Sequence, residues 1–378
     1  MKKLCFYINS DWYFSLHWKE RAVAAIDSGY QVHVICNFSS DDERRSLELL
    51  GLITHNSNMS EQSLNPFFLM KDVYRSCKIL KEISPDIIHC ITIKACIIGG
   101  LYSKIYNKNL VLSFVGLGRV FSSEVIIYKL LEKIVTKLYA WISKKKNVFF
   151  IFEHENDRCE IVNRTGIDIN KTFVINGAGV NLSDFNYVEE DDREIPVVLF
   201  AGRLIWSKGL KDLIDAKIAL REQGVDFVLD VAGFIVKNDP DSIPQSLIED
   251  WSCKGIIRWL GKSNNVSELI KKSNIIALPS VYAEGVPRIL IEAAAIGRAT
   301  IAYDTGGCGS IIKNNETGYL IEKSNFPELL DKLQVLLVDI ELRKEFGKRA
   351  SIKAVDGFSS KKVIETTLGI YKNLIANY

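Results

Sequence analysis

The chain has 378 residues, of which 47% are hydrophobic and 25% charged, and its formal net charge is +2 at pH 7. These fractions are typical of a folded soluble protein, and the length predicts two domains of about 150 to 200 residues each. The nearly neutral net charge excludes a strongly basic nucleic-acid-binding protein, so no nucleic-acid partner is expected.

The eight cysteines form no C-x-x-C pair and mostly lie among apolar residues. This pattern is typical of reduced thiols in the cytoplasm. The first apolar run ends at residues 9–11, which is too short for a signal peptide. Because Lys94 and Lys104 interrupt the longest apolar candidate, around 91–106, we expect no membrane-spanning segment.

Strands and helices alternate along the first half of the chain. Short apolar runs predict buried strands at 4–8, 31–36, 86–89, 110–115, 147–152 and 172–175. Helical patterns lie between these strands, at 15–28, 66–83 and 124–143. A further helix follows the strand at 86–89 and ends at about residue 106. Alternation of this kind indicates an α/β domain with a parallel sheet covered on both faces.

A second alternating series follows an acidic stretch at 189–194, which we interpret as a linker. Strands are predicted at 197–200, 227–231, 256–260, 275–278 and 300–302, with later helices at 326–354 and 360–376. The predicted domains are therefore 1–187 and 195–358, both Rossmann-like, with a final helix at 359–378. Ligands of such sheets bind at the carboxyl ends of the strands, in a crevice between facing halves.

The stretch 279–292 combines a strand end, a tight loop and a helix start. Gly285 permits close backbone approach to a ligand, and Pro287 suits the first position of a helix. The free amides near Val286 and the helix dipole favour an anion such as phosphate. Glu284 lies in the loop and Glu292 farther along the helix, so the two carboxylates are expected to have different roles.

A second loop, 201–209, follows the first strand of the second domain. Gly202 and Gly209 relax its backbone, while Arg203 and Lys208 place two cations at the sheet edge. A nucleotide diphosphate requires such neutralisation, and a guanidinium can hold two of its oxygens at once. Two cations near a loop can also be ordinary surface residues.

Two further strands of the second domain end near Gly233 and Leu260, where a nucleobase or ribose could lie against the backbone. In the first domain, Gly116 and Gly118 bring backbone amides to another strand end. Ordinary strand-to-loop glycines are the alternative interpretation. The full dinucleotide-binding fingerprint is missing, which argues against a dehydrogenase.

The segment 9–17 crowds three aromatic residues into the first predicted strand-to-helix loop. These aromatics, which include Trp12, either pack between helices or stack on a sugar ring. In the second case, Asp11 or His17 would bind the hydroxyl groups of the sugar. His89 and His154 are interpreted as structural. The sequence contains no metal-ligand spacing, so neither a metal nor another cofactor is expected.

Positive charge is concentrated in residues 60–146, which hold 14 Lys or Arg against 6 Asp or Glu. A solvated helical surface would explain this excess. Docking on an anionic membrane surface would also explain it, because each basic residue near anionic lipid contributes about 1 kcal/mol.

Taken together, these residues resemble glycosyltransferase family 4, the retaining enzymes of GT-B fold, and especially its bacterial capsule and O-antigen branch. The resemblance covers nearly the whole chain, and the spacing Glu284-x7-Glu292 is its most specific mark. It rests on the motifs at 9–18, 116–118, 156–158, 177–180, 202–203, 208–209 and 284–292. The resemblance implies two Rossmann-like domains that face a central cleft, with the final helix crossing back onto the first domain. It implies that the first domain binds the acceptor and the second the UDP-sugar donor, with the acceptor residues Asp11, Trp12, His17, Gly116 and Gly118.

The same resemblance implies roles for individual residues. Arg203 and Lys208 would hold the diphosphate of a UDP-sugar donor, Glu284 would contact the transferred sugar, and Glu292 would contact the ribose. Many relatives carry His just before the glycine that is Gly116 here, where this chain has Val115. Asn176 likewise replaces a proline that is usual before Gly177.

The expected reaction is transfer of GalNAc or GlcNAc, with retention, from a UDP-sugar to a saccharide on a polyprenyl diphosphate such as undecaprenyl diphosphate. The enzyme would act in the cytoplasm, peripherally on the inner face of a bacterial inner membrane. Two alternatives stay open at this point. They are a UDP-sugar epimerase of the same shape and an inactive nucleotide-sugar-binding subunit.

Overall fold

The computed structural model describes residues 1–59, 66–123, 125–236, 239–263 and 265–376. The chain forms two compact units, one comprising Met1–Ala178 with Lys361–Tyr378 and the other comprising Gly179–Ser360. They are called unit 1 and unit 2 below. Among the described residues, no helix combines the length and the apolar character needed to cross a bilayer.

Unit 1 is built on a parallel sheet of seven strands in the described residues, in the order β3-β2-β1-β4-β5-β6-β7. The central strands are almost entirely apolar and buried, as expected for a parallel sheet covered on both faces. The strands are β1 (Lys2–Ser10), β2 (Tyr30–Asn37), β3 (Ile53–Asn56), β4 (Ile87–Ile91), β5 (Asn109–Phe114), β6 (Val148–Phe152) and β7 (Thr172–Val174).

Helices cover both faces of this sheet and form two separate apolar cores. They are α1 (Asp11–His17), α2 (Lys19–Asp27), α3 (Asp41–Glu48), α4 (Pro66–Ile83), α5 (Ile93–Tyr106), α6 (Gly118–Ser122), α7 (Ile126–Ser143) and α8 (Glu155–Thr165). Helices α4, α5 and α7 share one core, in which Leu80, Cys96 and Tyr139 are buried. The predicted start of the long helix at residue 124 lies outside the described residues.

Unit 2 is built on a parallel sheet of six strands in the described residues, in the order β10-β9-β8-β11-β12-β13. The strands are β8 (Val197–Ala201), β9 (Val228–Ala232), β10 (Arg258–Gly261), β11 (Ile275–Leu278), β12 (Ala299–Tyr303) and β13 (Gly318–Ile321). The helices are α9 (Leu210–Glu222), α10 (Gln245–Cys253), α11 (Val266–Lys271), α12 (Arg288–Ile296), α13 (Cys308–Ile311), α14 (Phe326–Val338) and α15 (Ile340–Phe358).

The final helix, α16 (Ser360–Ala376), returns to unit 1. Its buried side chains Val363, Ile370 and Tyr371 join the core beside β1 and α2. The Tyr371 hydroxyl lies 2.5 Å from Nδ1 of His89, whose Nε2 lies 2.7 Å from Ser113 Oγ. The predicted return of this helix is therefore confirmed, and His89 is a structural histidine.

The structure differs from the sequence expectations in several elements. Strands β3 and β13 and helix α3 were not predicted, and α1 begins at Asp11, where a loop was expected. The acidic stretch 189–194 lies within unit 2. Glu190 is 5% exposed and pairs with Arg343 at 2.8 Å, because a buried carboxylate needs a partner. One carboxylate of the predicted linker is therefore buried in an ion pair, whereas its other acidic residues, Glu189, Asp191, Asp192 and Glu194, are exposed.

Candidate functional site

Two loops of unit 2 meet beyond the carboxyl ends of neighbouring strands. One follows β8 at 202–209, and the other follows β11 at 279–287. Backbone bonds join them, since Val281 N donates to Ser207 O at 2.8 Å. Gly209 has φ +81, and a side chain there would clash with the carbonyl oxygen of Pro279. Glycine is therefore required for this close approach.

Lys208 and Glu284 form an ion pair between these two loops. Their side chains are only 12% and 10% exposed, and Ser280 Oγ also donates to Glu284 Oε1 at 2.7 Å. The two residues are 76 positions apart in the chain. The structure thus brings together a cation and a carboxylate that the sequence analysis assigned to one site.

Arg203 and Lys208 both lie near the aromatic ring of Tyr282. The Cζ atom of Arg203 is 5.3 Å from the ring centroid of Tyr282, and Lys208 Nζ is 5.9 Å from that centroid. Cations over an aromatic face are stabilised by the ring quadrupole. Sequence reasoning missed Tyr282, although its position two residues before Glu284 placed it in the predicted loop. The arrangement holds two cations at one strand edge.

A third loop, which follows β12, supports the backbone around Glu284. Gly307 N donates to Gly285 O at 3.0 Å, and Thr305 Oγ1 donates to Ser280 O at 2.9 Å. Gly306 has φ +55, and a side chain there would clash with the backbone of Glu284. These contacts were missed, and the available signal was the pair of glycines at 306–307, in the loop after the predicted strand 300–302.

Helix α12 begins one residue later than predicted, with Pro287 as its N-cap and Val286 buried before it. Glu292 is 5% exposed and accepts a hydrogen bond from Arg288 Nε at 2.6 Å. Burial raises the pKa of Glu292, and the charge of Arg288 opposes that increase. Arg288 was not predicted, although the i,i+4 spacing makes it a natural partner.

The glycines at the ends of β8, β9 and β10 lie against one another. Gly202 N donates to Ala232 O at 3.0 Å, and Gly233 N donates to Gly261 O at 2.8 Å. A side chain at Gly233 would clash with Gly202 O, so loop packing alone explains this glycine. The space beside Gly202 is open, and Leu260 is half-buried in β10. Their contact with a nucleotide stays a prediction.

In unit 1, the residues predicted around the first strand end separate into two groups. Asp11 is 1% exposed, and its Oδ2 accepts bonds from Ser39 N at 2.5 Å and Ser39 Oγ at 2.7 Å. It therefore joins α1 to the loop after β2. Trp12 is 43% exposed, and the ring of His17 lies 4.3 Å from that of Tyr13. These two side chains stay candidates for sugar contact.

The predicted glycines of unit 1 follow β5. Gly116 has φ +91, which favours glycine, and Gly118 has open space where a side chain would project. His154 is the N-cap of α8, where its ring accepts from Asp157 N at 3.4 Å. Among the described residues, no group of three or more His, Cys, Asp or Glu side chains could hold a metal ion.

Two family descriptions match the chain in succession. "Glycosyl transferase 4-like" matches residues 3–150, and "Glycosyl transferases group 1" matches residues 186–353. The first match lies in unit 1. The second contains Arg203, Lys208, Glu284 and Glu292.

Two curated relatives align with most of the chain. The "N,N'-diacetylbacillosaminyl-diphospho-undecaprenol alpha-1,3-N-acetylgalactosaminyltransferase" of Campylobacter jejuni is 29% identical over 89% of this chain and 90% of its own. The "UDP-Gal:alpha-D-GlcNAc-diphosphoundecaprenol alpha-1,3-galactosyltransferase" of Escherichia coli is 24% identical over 82% of this chain and 80% of its own.

Solved structures agree with the fold at low sequence identity. HepE of Anabaena in complex with UDP and glucose superposes with a TM-score of 0.79 at 16% identity, over 99% of this chain and 100% of its own. Sucrose-phosphate synthase of Thermosynechococcus elongatus superposes with a TM-score of 0.78 at 17% identity, over the full length of both chains. The two Rossmann-like sheets thus form a GT-B fold. The two family matches and the two curated relatives support a glycosyltransferase of family 4, in its polysaccharide branch.

Proposed function

We propose that the chain transfers GalNAc or GlcNAc from a UDP-sugar to a saccharide carried on a polyprenyl diphosphate, with retention of the α-configuration. The observation that carries the proposal is the convergence of Arg203, Lys208 and Glu284 at one strand edge of unit 2. The lipid-linked acceptor is supported by the names of the Campylobacter and Escherichia relatives, which act on diphospho-undecaprenol saccharides.

The chemistry required of the protein is mainly electrostatic. When the bond between the anomeric carbon and the UDP oxygen breaks, the electron pair leaves with UDP and negative charge grows on the diphosphate. Arg203, Lys208 and the amides that begin α12 would stabilise that charge. The acceptor oxygen bonds to the anomeric carbon, and its proton passes to the departing diphosphate, which has gained the electron pair.

Glu284 would position the sugar and support positive charge on its ring. In the structure its carboxylate is held by Lys208 and Ser280. A donor diphosphate would therefore engage a lysine that is already oriented by the sugar-binding carboxylate. No nucleophile is assigned, because Glu292 is paired with Arg288 and is proposed to meet the ribose.

The direct test is a transfer assay in which UDP-GalNAc and UDP-GlcNAc are offered with synthetic polyprenyl-diphosphate mono- and disaccharides. Formation of an α-linked product supports the proposal. An epimer formed from donor alone would support the epimerase alternative. Calorimetric UDP binding without transfer to any of these acceptors would support the inactive subunit.

The reaction is proposed to need no metal, because the side chains of Arg203 and Lys208 would take the place of a divalent cation. We expect EDTA to leave the transfer rate unchanged, as measured in the same assay. A loss of activity that Mg²⁺ or Mn²⁺ restores would contradict this part of the proposal.

We further propose peripheral binding to an anionic membrane, at the cytoplasmic face of the inner membrane. Helix α7 exposes Ile126 by 85%, Leu130 by 55% and Ile134 by 49%, on the same helical face. Exposed Lys133 and Lys137 lie alongside these residues. An apolar stripe bordered by lysines is typical of a helix that lies in the headgroup region of anionic lipid.

This surface can be tested by sedimentation with phosphatidylglycerol vesicles. We expect the Leu130→Ser/Ile134→Ser variant to sediment several-fold less than the wild type at low salt. Ile352→Ser is a matched control, because Ile352 is 58% exposed on α15 of unit 2. Equal sedimentation of the wild type and the double variant would reject α7 as the docking helix.

A further inference from the structure

A cavity of about 610 Å³ lies at the amino ends of four strands of unit 1. Lys2 begins β1 and Asn109 begins β5, while Asp86 and Asn147 directly precede β4 and β6. All four residues line the cavity, which is called the amino-edge cavity below. The residues proposed for acceptor contact follow the carboxyl ends of β1 and β5. The amino-edge cavity is therefore at the opposite edge of the sheet.

The lining of the amino-edge cavity is strongly basic. Among the described residues it contains one carboxylate and five lysines, which are Lys2, Lys104, Lys108, Lys145 and Lys146. The carboxylate, Asp86, is already bonded, because its Oδ2 accepts from Lys3 N at 2.8 Å and its Oδ1 from Lys2 Nζ at 3.5 Å. Several ammonium groups around a concave surface attract an anion.

Lys145 carries a buried charge in this lining. It is 7% exposed, and its Nζ donates to Asn107 Oδ1 at 2.8 Å and to Asn147 Oδ1, which are both neutral partners. Lys217 is also 7% exposed but pairs with the carboxylate of Asp226. Because a buried charge is costly without an opposite charge, a bound anion would stabilise the Lys145 ammonium.

The pKa of Lys145 agrees with this geometry. Burial lowers the pKa of Lys145 to about 8, and the positive charge of Lys104 contributes to the decrease. An anion close to the ammonium group would raise the pKa again.

The asparagines of the lining are oriented as hydrogen-bond donors. Asn107 Oδ1 accepts from Lys145, and Asn109 Oδ1 accepts from Asn147 Nδ2 at 2.9 Å. The side-chain NH2 groups of Asn107 and Asn109 make no bond to the described residues. With its oxygen engaged, a side-chain amide can only donate to a ligand. The amino-edge cavity therefore suits a ligand that consists mainly of acceptors.

Backbone contacts hold the loop that carries Lys145 between α7 and β6. Lys171 Nζ donates to Ser143 O at 3.0 Å and to Lys145 O at 2.8 Å. Lys145 N also donates to Ile142 O at 3.0 Å. The donors of the cavity are thus fixed before a ligand binds, which lowers the entropic cost of binding.

From these features we infer that Lys145, Lys146 and the side-chain amides of Asn107 and Asn109 bind a phosphate group. Phosphate oxygens accept hydrogen bonds and carry the negative charge that the lining lacks, and lysine is a common phosphate ligand. A neutral sugar fits this lining poorly, because its hydroxyl groups would lack acceptors. The phosphate belongs either to a soluble phosphorylated compound or to a lipid headgroup.

Calorimetry with inorganic phosphate and pyrophosphate tests the site. The titrations use the Arg203→Ala background, so that the proposed diphosphate contact of unit 2 is removed. We expect this parent protein to bind pyrophosphate, and Lys146→Ala to bind it about tenfold more weakly, because a charge-assisted hydrogen bond is lost. Pyrophosphate should also raise the Tm of the parent protein more than that of Lys146→Ala.

Lys144→Ala is the matched control. Lys144 is the exposed neighbour of Lys145 and lies outside the cavity lining, so its replacement removes the same charge without changing the site. Its affinity for pyrophosphate should equal that of the parent. Equal affinities of Lys144→Ala and Lys146→Ala, or no binding of either anion to the parent, would overturn the inference.

Lys145→Met tests the buried ammonium. We expect it to weaken pyrophosphate binding at least about tenfold, because the positive charge is lost while the length of the side chain is kept. Its Tm shows whether the protein is folded. Because Lys146 is exposed, Lys146→Ala decides the matter if Lys145→Met does not fold. Parent affinity in a folded Lys145→Met would contradict the inference.

Sedimentation with vesicles that contain phosphatidic acid distinguishes the two sources of the phosphate. The amino-edge cavity borders α7, since Lys104 Nζ donates to Trp141 O at 3.1 Å. A headgroup ligand predicts that pyrophosphate reduces sedimentation and that Lys146→Ala sediments less than Lys144→Ala. Equal sedimentation of these variants, with calorimetric affinities that differ, would identify a soluble phosphate compound. Neither experiment requires turnover, so the inference is tested separately from the proposed transfer.

Discussion

The carboxyl edges of the two sheets differ in how their polar side chains are satisfied. In unit 2, Glu284 is held by Lys208 and Ser280, and the loops around it are joined by backbone hydrogen bonds. In unit 1, Asn9 and Thr92 carry shielded oxygens without partners among the described residues. The polar side chains at the edge of unit 2 thus bond to one another, whereas two oxygens at the edge of unit 1 have no partner among the described residues.

This difference follows from the cost of burying each kind of group. A charge removed from water must be paired, whereas a neutral oxygen can be left without a partner at a smaller cost. An edge that is proposed to bind a diphosphate therefore keeps its buried lysine, Lys208, paired with its own carboxylate until the ligand arrives.

The largest effect is expected from breaking the ion pair of unit 2. Lys208→Ala should lower kcat about 10² to 10³-fold, because it removes charge stabilisation and releases Glu284. Glu284→Gln should also lower kcat. Since the two residues act as a unit, the double variant should lose less than the product of the single losses.

Lys211→Ala is the control for these measurements, because Lys211 is 50% exposed and pairs with Asp215 on the surface of α9. Its kcat should equal that of the wild type. Strictly multiplicative losses in the Lys208/Glu284 double variant would show that the pair does not act as a unit.

A smaller effect is expected from disturbing the loop that supports this pair. Gly306→Ala should displace the backbone of Glu284, because the added methyl group would clash with it. We expect kcat/KM for the donor to fall about tenfold, the scale of a misplaced catalytic group. Gly309→Ala has room for its methyl group and should leave kcat/KM unchanged. Equal steady-state kinetics of the two variants would show that the loop contact is unimportant.

The smallest effect concerns stability and tests whether a histidine buried in unit 1 stays neutral when the pH falls. Burial lowers the pKa of His33 from 6.5 to about 4, and the nearby His55 and Lys3 add to the decrease. Between these pH values the unfolded chain binds a proton that the folded chain excludes, so stability should fall as the pH drops from about 6.5 to about 4.

His33→Gln should flatten this part of the stability profile, because it removes the titrating group. Urea unfolding at several pH values measures the effect. An unchanged slope in the variant would show that His33 is not responsible for it.

Much of the fold could be predicted because apolar runs mark buried parallel strands. The missed strands β3 and β13 lie at sheet edges and have only four residues each, and α3 is short and largely polar. Such elements have little hydrophobic periodicity, so contacts with the rest of the unit determine them.

The candidate site was predictable where residues follow strands directly, as Arg203 and Lys208 do. Strand order then brings distant residues such as Glu284 to the same edge. Tyr282, Arg288 and Gly306 were missed because their roles depend on contacts between loops. Asp11 was predicted as an acceptor residue, but a buried carboxylate that bonds Ser39 cannot be distinguished from a ligand-binding one by sequence alone.

Arg203 is proposed to hold the diphosphate of the donor, and calorimetry with UDP and uridine measures this contact. We expect Arg203→Ala to bind UDP about 10- to 100-fold more weakly, because a charge-assisted bidentate contact is lost, and to bind uridine as the wild type does. Arg221→Ala, at an exposed position on α9, should bind both ligands normally. Wild-type UDP affinity in Arg203→Ala would contradict the account.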